Sequence, residues 1–378
     1  MDSLTEAAVG RRVGVRGRKE VVRAALVLAV IVLGAFAPLV FMSSYWLGLL
    51  VNAMILGLSA VSIGFLAHQC GLMMFGVSAL TGGASYVYAI AIISFGLNAL
   101  AAAIVTLVAS TLICTLIGAV IVQARPLPFA MLTLALAQLL HSVVLITEVR
   151  PWTGGDDGLA VNYAGTLFGR TQADMSRPET FWPVCWIAFC GALAIAWSVG
   201  RSRFGETLRA VKTNEERMRF SGFDTYAPRV LAFTISGFIA AVAGLLSGFY
   251  TAFASPELLD FSAGGNALVA TLIGGVGTLA GPPLGATLFV IGQDRFGATG
   301  NLQLLTGIGV ALVIYLFPEG IVGFLQQAAD HVVSRFRGAR RPDRFPEAAY
   351  EVARRRPPSV GSRDGTSGQI SEPTEKRK

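Results

Sequence analysis

RFGETLRAVKTNEERMRFSG, residues 203–222, carries eight charged side chains in twenty positions, whereas the long stretch from Ala24 to Gly200 carries only nine, most of them between 148 and 180. A short polar segment that reads as folded, set between long apolar runs, is the pattern of a loop at the face of a polytopic helical membrane protein. Composition agrees. The 378 residues are 53% hydrophobic and 14% charged, with net charge +7, against about 25% charged in soluble domains. The apolar runs lack the polar faces that a soluble helical core would need.

Crossing a hydrocarbon core of about 30 Å takes about 20 helical residues. Apolar runs of that order lie at 22–42, 46–67, 74–95, 98–122, 128–147, 181–199, 229–252, 263–276, 281–298 and 303–325. Several are short or broken by glycine, notably 74–95 and 263–276, so the expected count is eight to ten. The first run is too long for a signal peptide and is followed at once by further spans, so it reads as an uncleaved helix. The fold class is therefore all-α and polytopic, and glycine-rich stretches in both halves suggest an internal duplication.

Lys and Arg near span ends set the orientation. They cluster in the arm 1–21, in the loop 200–229 and in the tail 326–378. Acids outnumber bases in the loop 148–180, and the loop 253–262 has Glu257 and Asp260 with no base. Ten crossings of the domain 22–325 place every basic segment, and both termini, on the cytoplasmic side. They also place 148–180 in the periplasm. The tail is rich in Pro, Ser, Arg and Gly and reads as disordered.

No catalytic constellation stands out. His68, His141 and His331 have no metal-ligand spacing to Cys or carboxylates, and no Lys follows a phosphate-loop glycine. Cys70, Cys114, Cys185 and Cys190 read as small apolar residues. TGGDDG, 153–158, lacks the alternating ligands of a calcium loop and reads as a tight turn. No metal, cofactor or nucleic acid is expected, and an energy source would have to be an ion gradient or a partner subunit. The near absence of ionisable groups inside the spans weakens the ion-coupled alternative.

Within 203–222, Phe204, Leu208 and Val211 form one apolar stripe at helical spacing. Thr213 to Glu216 reads as a capping box opening a second helix, and Gly222 as its stop. Two short helices should lie at the cytoplasmic face with Arg209, Lys212, Arg217 and Arg219 outward. Glu206, Glu215 and Glu216 suit anionic lipid poorly, which favours a protein partner. The stretches GLMMFGVSALTGGASY (71–86) and GGVGTLAGPPLGA (274–286) offer either close helix packing or broken backbone beside a pathway. Gly71, Gly76, Ser78, Gly82, Tyr86, Gly274 and Gly275 are the candidates there. Thr133 and Gln138 are further candidates within an apolar span, with interhelical hydrogen bonding as the competing role.

The chain resembles the M-type permease subunit of the branched-chain amino acid ABC transporters over most of 46–325. The resemblance rests on ARPLPFAMLTLALAQ (124–138), TGGDDGL (153–159), FGETLRAVKTNEERMRFSGFD (204–224), LAFTISGFIAAVAGLL (231–246), SPELL (255–259) and LIGGVGTLAGPPLGA (272–286), in that order. It implies that 204–222 docks on a cytosolic ATPase through Gly205, Leu208, Arg209, Ala210, Asn214, Glu215 and Gly222. It also implies a complex of two ATPases, two permease subunits and a periplasmic binding protein in a bacterial inner membrane, with ATP bound only by the partner. Met74 and Val77 stand where that family usually has Ser and His, and Ala84 replaces a Gly. That departure leaves the substrate open between branched-chain amino acids and small solutes such as urea or short amides.

Overall fold

The computed structural model describes residues 33–162 and 170–297, together with 307–308, 315 and 320–324. The arm 1–21, most of the first and last apolar runs and the tail 326–378 lie outside the described residues. A helical stretch covers 33–41. Then follow α1 (Ser44–Cys70), α2 (Val77–Ile93), α3 (Ala99–Ile121), α4 (Pro126–Val144), α5 (Pro178–Arg201), α6 (Arg203–Thr213), α7 (Glu215–Phe220), α8 (Tyr226–Thr251), α9 (Phe261–Gly274) and α10 (Gly281–Gly297). Eight of the expected crossings thus coincide with described helices. Five of these, α1, α3, α4, α5 and α8, are long and apolar enough to span a bilayer, and α2 and α9 are shorter apolar helices. The chain is a multi-pass membrane protein.

α1 and α8 form the centre and run antiparallel. Gly48 near the start of α1 lies beside Tyr250 near the end of α8, and Ser62 meets Ser236 halfway. Small residues on both helices admit close neighbours: Gly57 and Gly64 on α1 meet the start of α10, and Gly237 and Gly244 on α8 meet α3 and α2. Lipid tails are as apolar as leucine, so apolar burial alone gives no reason for two such helices to associate. Small residues do so by letting backbones approach and dispersion act. Hydroxyls close the seam. Ser62 Oγ donates to the Ser236 carbonyl at 2.8 Å, and Ser236 Oγ donates back to the Ser62 carbonyl at 2.9 Å.

α2 and α9 exchange partners across this centre. α2 follows α1 but runs along α8, where Ser85 donates to the Gly244 carbonyl at 2.6 Å and Tyr88 packs on Phe249. α9 follows α8 but packs on α1, where Thr271 donates to the Ala60 carbonyl at 3.1 Å. Each unit is thus a long helix, a break in the α-helical path (71–76, or 252–260, which holds a short strand and a 3-10 turn) and a shorter helix, and the two units point in opposite directions. This is the geometry of an inverted-topology repeat. At 1.5 Å per residue, α2 and α9 are about 25 and 21 Å long, short of the hydrocarbon core.

α3, α4 and α5 pack around this centre with one face buried and the other exposed, as helices facing lipid do. Exposed Leu, Ile and Val on α3, such as Ile104, Val108, Leu112 and Leu116, are then lipid-facing positions. Opposite the α6–α7 end, Leu159–Ala160 pairs antiparallel with Phe253–Ala254. That two-residue ribbon ties the loop after α4 to the break after α8. The free cysteines are buried or half-buried. TGGDDG folds as a turn in which Arg150 pairs with Asp157 at 2.8 Å, and among the described residues no group of His, Cys, Asp or Glu could hold a metal.

Candidate functional site: the polar elbow and the broken helices

The 203–222 segment forms two helices, α6 and α7. Ser202 caps α6, its Oγ accepting from the Gly205 amide at 3.2 Å. Asn214 caps α7, accepting from the Arg217 amide at 2.9 Å. The expected Thr213–Glu216 capping box does not form. Thr213 is the last residue of α6 and bonds back to the Arg209 carbonyl at 2.9 Å, so the cap falls one residue later. Gly222 takes φ +80°, a left-handed stop that glycine adopts without a Cβ clash.

The apolar stripe turns inward. Leu208 and Val211 are buried and Phe204 half-buried, and Leu208 lies in one cluster with Ile63, Leu66, Cys70 and Phe233. A Cβ at Gly205 would overlap the backbone at Val199 and Gly200. Gly205 and Leu208 therefore hold α6 against the bundle and present nothing to a partner. Arg209 and Lys212 are exposed as expected, and their head groups also reach back onto neighbouring helix ends. Lys212 Nζ donates to the carbonyls of Ala67 (3.2 Å) and His68 (3.0 Å), capping the end of α1. Arg209 donates to the Gly200 carbonyl at 2.8 Å, in the last turn of α5. Helix ends carry unpaired carbonyls and partial negative charge, so a cation is well placed there.

Glu215 is the hub of the elbow. Its Oε1 accepts from Arg219 (2.9 Å) and Arg229 (2.9 Å) and lies 3.4 Å from Thr225 Oγ1. The Arg229 side chain is only 7% exposed, so its charge depends on this one carboxylate. Glu215 is half-buried, its carboxylate held between Arg219 and Arg229. The exposed surface includes Glu206, Arg209, Ala210, Lys212, Asn214, Glu216, Arg217 and Arg219, together with Gly222 and two aromatic residues that no sequence pattern singled out. Phe220 is 91% exposed and Phe223 58% exposed. The one sequence signal for the Glu215–Arg229 pair is the charge itself, a lone Arg in the first turn of an otherwise apolar helix.

The pathway candidates do not form a single site. Gly71 ends α1 with φ +71°, and the Lys212 stem lies across it, with Cγ 3.1 Å from where a Cβ would stand. Gly76 and Thr133 come together where the 71–76 break meets the middle of α4. A Cβ on Gly76 would overlap the Thr133 carbonyl, and Thr133 Oγ1 accepts from the Phe75 amide at 3.2 Å while donating to the Ala130 carbonyl at 2.8 Å. Thr133 thus satisfies freed backbone in the break, a requirement where water is absent. Ser78 is buried beside Gly264 on α9. Gly82 abuts the Leu258 carbonyl in the opposite break.

Gly274 and Gly275 form the tight joint between α9 and α10, against Gly281. Gln138 is exposed on α4 and joins none of these groups. Met74 and Val77, at the positions of the expected departure, are both 1% exposed and fill core. Tyr86 alone among the candidates lines a sizeable cavity, about 210 Å³, between α2, α3 and α4.

A multi-pass helical membrane protein built on two inverted units with a polar elbow at one end is the class these features define. The family described as "Branched-chain amino acid transport system / permease component" matches residues 45–318. The chain belongs to that family. It is 28% identical over 161 residues to the high-affinity branched-chain amino acid transport system permease protein LivH of Escherichia coli strain K12 (42% of this chain, 52% of that one). It is 29% identical over 142 residues to BraD of Pseudomonas aeruginosa, which carries the same description (36% and 45%). It is also 32% identical over 111 residues to the autoinducer 2 import system permease protein LsrC of Yersinia pseudotuberculosis (28% and 32%). The chain thus spans about half the length, or less, of the curated relatives it matches. No solved structure matches it.

Proposed function

We propose that the chain is the transmembrane permease subunit of an ATP-driven ABC importer, receiving branched-chain or other hydrophobic amino acids from a periplasmic binding protein. Family membership over residues 45–318 carries this reading. In it the protein sits in a bacterial inner membrane with both termini cytoplasmic, pairs with a second permease subunit and rests on two cytosolic ATPases. The chain binds no cofactor itself, and ATP is consumed by the partner. The elbow is the docking surface. Glu206, Ala210, Asn214, Glu216, Phe220 and Phe223 offer the contact, while Gly205, Leu208, Arg209, Lys212 and Glu215 brace it from behind.

Transport proceeds by alternating access, with ATP binding in the partner favouring one of two permease states. The 71–76 and 252–260 breaks supply the backbone most able to change course between those states. Purification with the ATPase, followed by uptake of labelled leucine into proteoliposomes containing the binding protein, tests the proposal. Uptake that needs internal ATP supports it. Uptake by the chain alone, driven by an ion gradient, would overturn it.

The relative named for autoinducer 2 import supports a second reading of the cargo within the same machine, as a solute other than an amino acid. Direct ligand binding to the cognate binding protein separates the two cargoes.

A further inference from the structure

We infer that the elbow end of α5 binds an anionic phospholipid, its phosphate held by Arg201 and Arg209 and an acyl chain lying along the exposed face of that helix. The inference rests on the chain's crossing a membrane and not on the transport reading. It starts from length. α5 has 24 residues, about 36 Å at 1.5 Å per residue and so about 6 Å more than the hydrocarbon core. Its last turn therefore reaches the headgroup layer, the level at which tryptophan is enriched.

Trp197 stands one turn before that end and is 56% exposed. The Arg201 guanidinium lies over its ring, 4.8 Å from the centroid. A ring face attracts the cation but takes none of its N–H donors in the way a carboxylate would. Arg209 brings a second guanidinium to the same helix end, where it donates to the Gly200 carbonyl at 2.8 Å. Neither cation pairs with a carboxylate among the described residues, and Glu206, the one acid of α6, is exposed and joins neither. Two exposed guanidinia thus sit at headgroup depth with their charge uncompensated.

Charge and shape together choose the occupant. A phosphate accepts from the forked donors of Arg, often two at a time. A zwitterionic headgroup would bring its own cation towards Arg201 and Arg209, whereas an anionic one brings none. A water-soluble anion would use the charges but leave the ring and the helix face idle. On that face Ile187 and Ile195 are exposed, and a Cβ on Gly191 between them would meet nothing within 4 Å. This open strip runs from Trp197 into the hydrocarbon layer and gives an acyl chain a track beneath the phosphate.

The experiment uses the purified full chain in phosphatidylcholine nanodiscs doped with a trace of phosphatidylglycerol that carries a photoreactive diazirine on its acyl chain. Photoreactive phosphatidylcholine is the reference probe, and cross-linked sites are mapped by mass spectrometry of chymotryptic peptides. Labelling of 187–201 should be several-fold higher with the anionic probe, and unlabelled phosphatidylglycerol should compete it saturably. The lipid-facing side of α3 around Leu116 serves as the internal reference. Arg201→Gln should lower the excess on α5 about fivefold, the scale of one cation beside an anionic lipid. Trp197→Leu should lower it about twofold, since the charge stays but loses its ring. Arg217→Gln, which removes an exposed cation from α7, should leave it unchanged. All three positions are exposed, so elution and thermal unfolding should match the wild type. Should Arg201→Gln fail to fold, Trp197→Leu decides, and an unchanged excess there overturns the proposal. Equal labelling of α5 by the two probes would also overturn it, as would equal losses in Arg201→Gln and Arg217→Gln, the mark of a diffuse surface charge. Displacement by inorganic phosphate would make the ligand a free anion and overturn it equally.

Discussion

Helices are joined in two different ways in this molecule, and the contrast follows from where water can reach. In the α1–α8 seam two serines bond to each other's backbone, and glycines on the same two helices admit their other neighbours closely. In the elbow the contacts are charges. Lys212 and Arg209 sit on helix ends, and Glu215 gathers Arg219 and Arg229. The seam gains little from polar groups because its alternative partners are also apolar, so it depends on fit. The elbow can solvate its charges when it moves, so it depends on pairing. The lesson is that the seam should be sensitive to volume and the elbow to charge.

The largest effect should come from adding volume where α8 meets α2, beside the seam. A Cβ on Gly244 would overlap the Thr81 carbonyl and stand 3.0 Å from the Ala84 Cβ, and backbone cannot yield as a flexible side chain does. Gly244→Leu should destabilise by more than about 3 kcal/mol, at or beyond the usual range for overpacking. The measurement is the yield of monodisperse protein and its midpoint of thermal unfolding. A near-wild-type midpoint would show that α2 and α8 are free to separate. The contrasting control is Gly222→Ala in the elbow, where nothing lies within 4 Å but φ is +80°. That variant should lose only the modest cost of a left-handed alanine, about 1 kcal/mol.

Charge is the next lever, applied where the elbow meets α8. Arg229 is nearly buried and has one carboxylate partner among the described residues. Glu215→Gln should cost about 2 kcal/mol, below the range for removing one partner of a fully buried pair because Glu215 is 30% exposed. Adding Arg229→Met should restore much of that loss, since no unpaired cation remains. The double-mutant cycle checks this, and additive losses would mean that the pair is not coupled. Glu215→Lys would set a third cation against Arg219 and Arg229, so it breaks the elbow itself and cannot report on partner contact. Glu206→Lys and Phe220→Ala, both on the exposed face, are the variants that can.

Ser62→Ala in the seam should be milder, about 0.6–1.7 kcal/mol, because only hydroxyl contacts are lost and no cavity larger than an oxygen opens. Denaturant unfolding of Ser62→Ala, Ser236→Ala and the pair would show coupling if the hydroxyls bond to each other as well as to backbone.

Much of this architecture was legible in the sequence, and the reason is solvent. Long uncharged runs and basic loops are read from composition, because the bilayer imposes both length and apolarity. The breaks were half legible. Glycine richness marked 71–86 and 274–286, but close packing and broken backbone leave the same trace, and the structure contains both. Gly274 packs a tight helical joint, whereas Gly71 ends a helix beside a break. The direction faced by each charge in 203–222 was not legible. Helical spacing gives a face, yet Lys212 and Arg209 are long enough to reach back to neighbouring helix ends, and the end that Lys212 caps belongs to an element distant in sequence. Gln138 failed for the converse reason, since a polar residue at the surface of a single apolar span carries no sign of which way it points.

Lys212 gives the smallest expected effect on stability and the sharpest test of how the two regions communicate. Its ammonium sits on the last carbonyls of α1 while its stem lies across Gly71, where the first break begins. It therefore joins the charged elbow directly to the broken backbone. Lys212→Met keeps an apolar stem over Gly71 and removes the charge, at about 0.3–1 kcal/mol for a cation at a helix end. If the elbow passes the ATPase's movement to the break through this contact, leucine uptake per ATP should fall several-fold while ATPase assembly is retained, and Lys212→Arg should recover most of it. Proteoliposome uptake measured alongside ATP hydrolysis gives that ratio. A ratio unchanged in Lys212→Met would mean that movement enters through the Leu208–Val211 face instead, and that the packed stripe, rather than the charge, joins elbow to bundle.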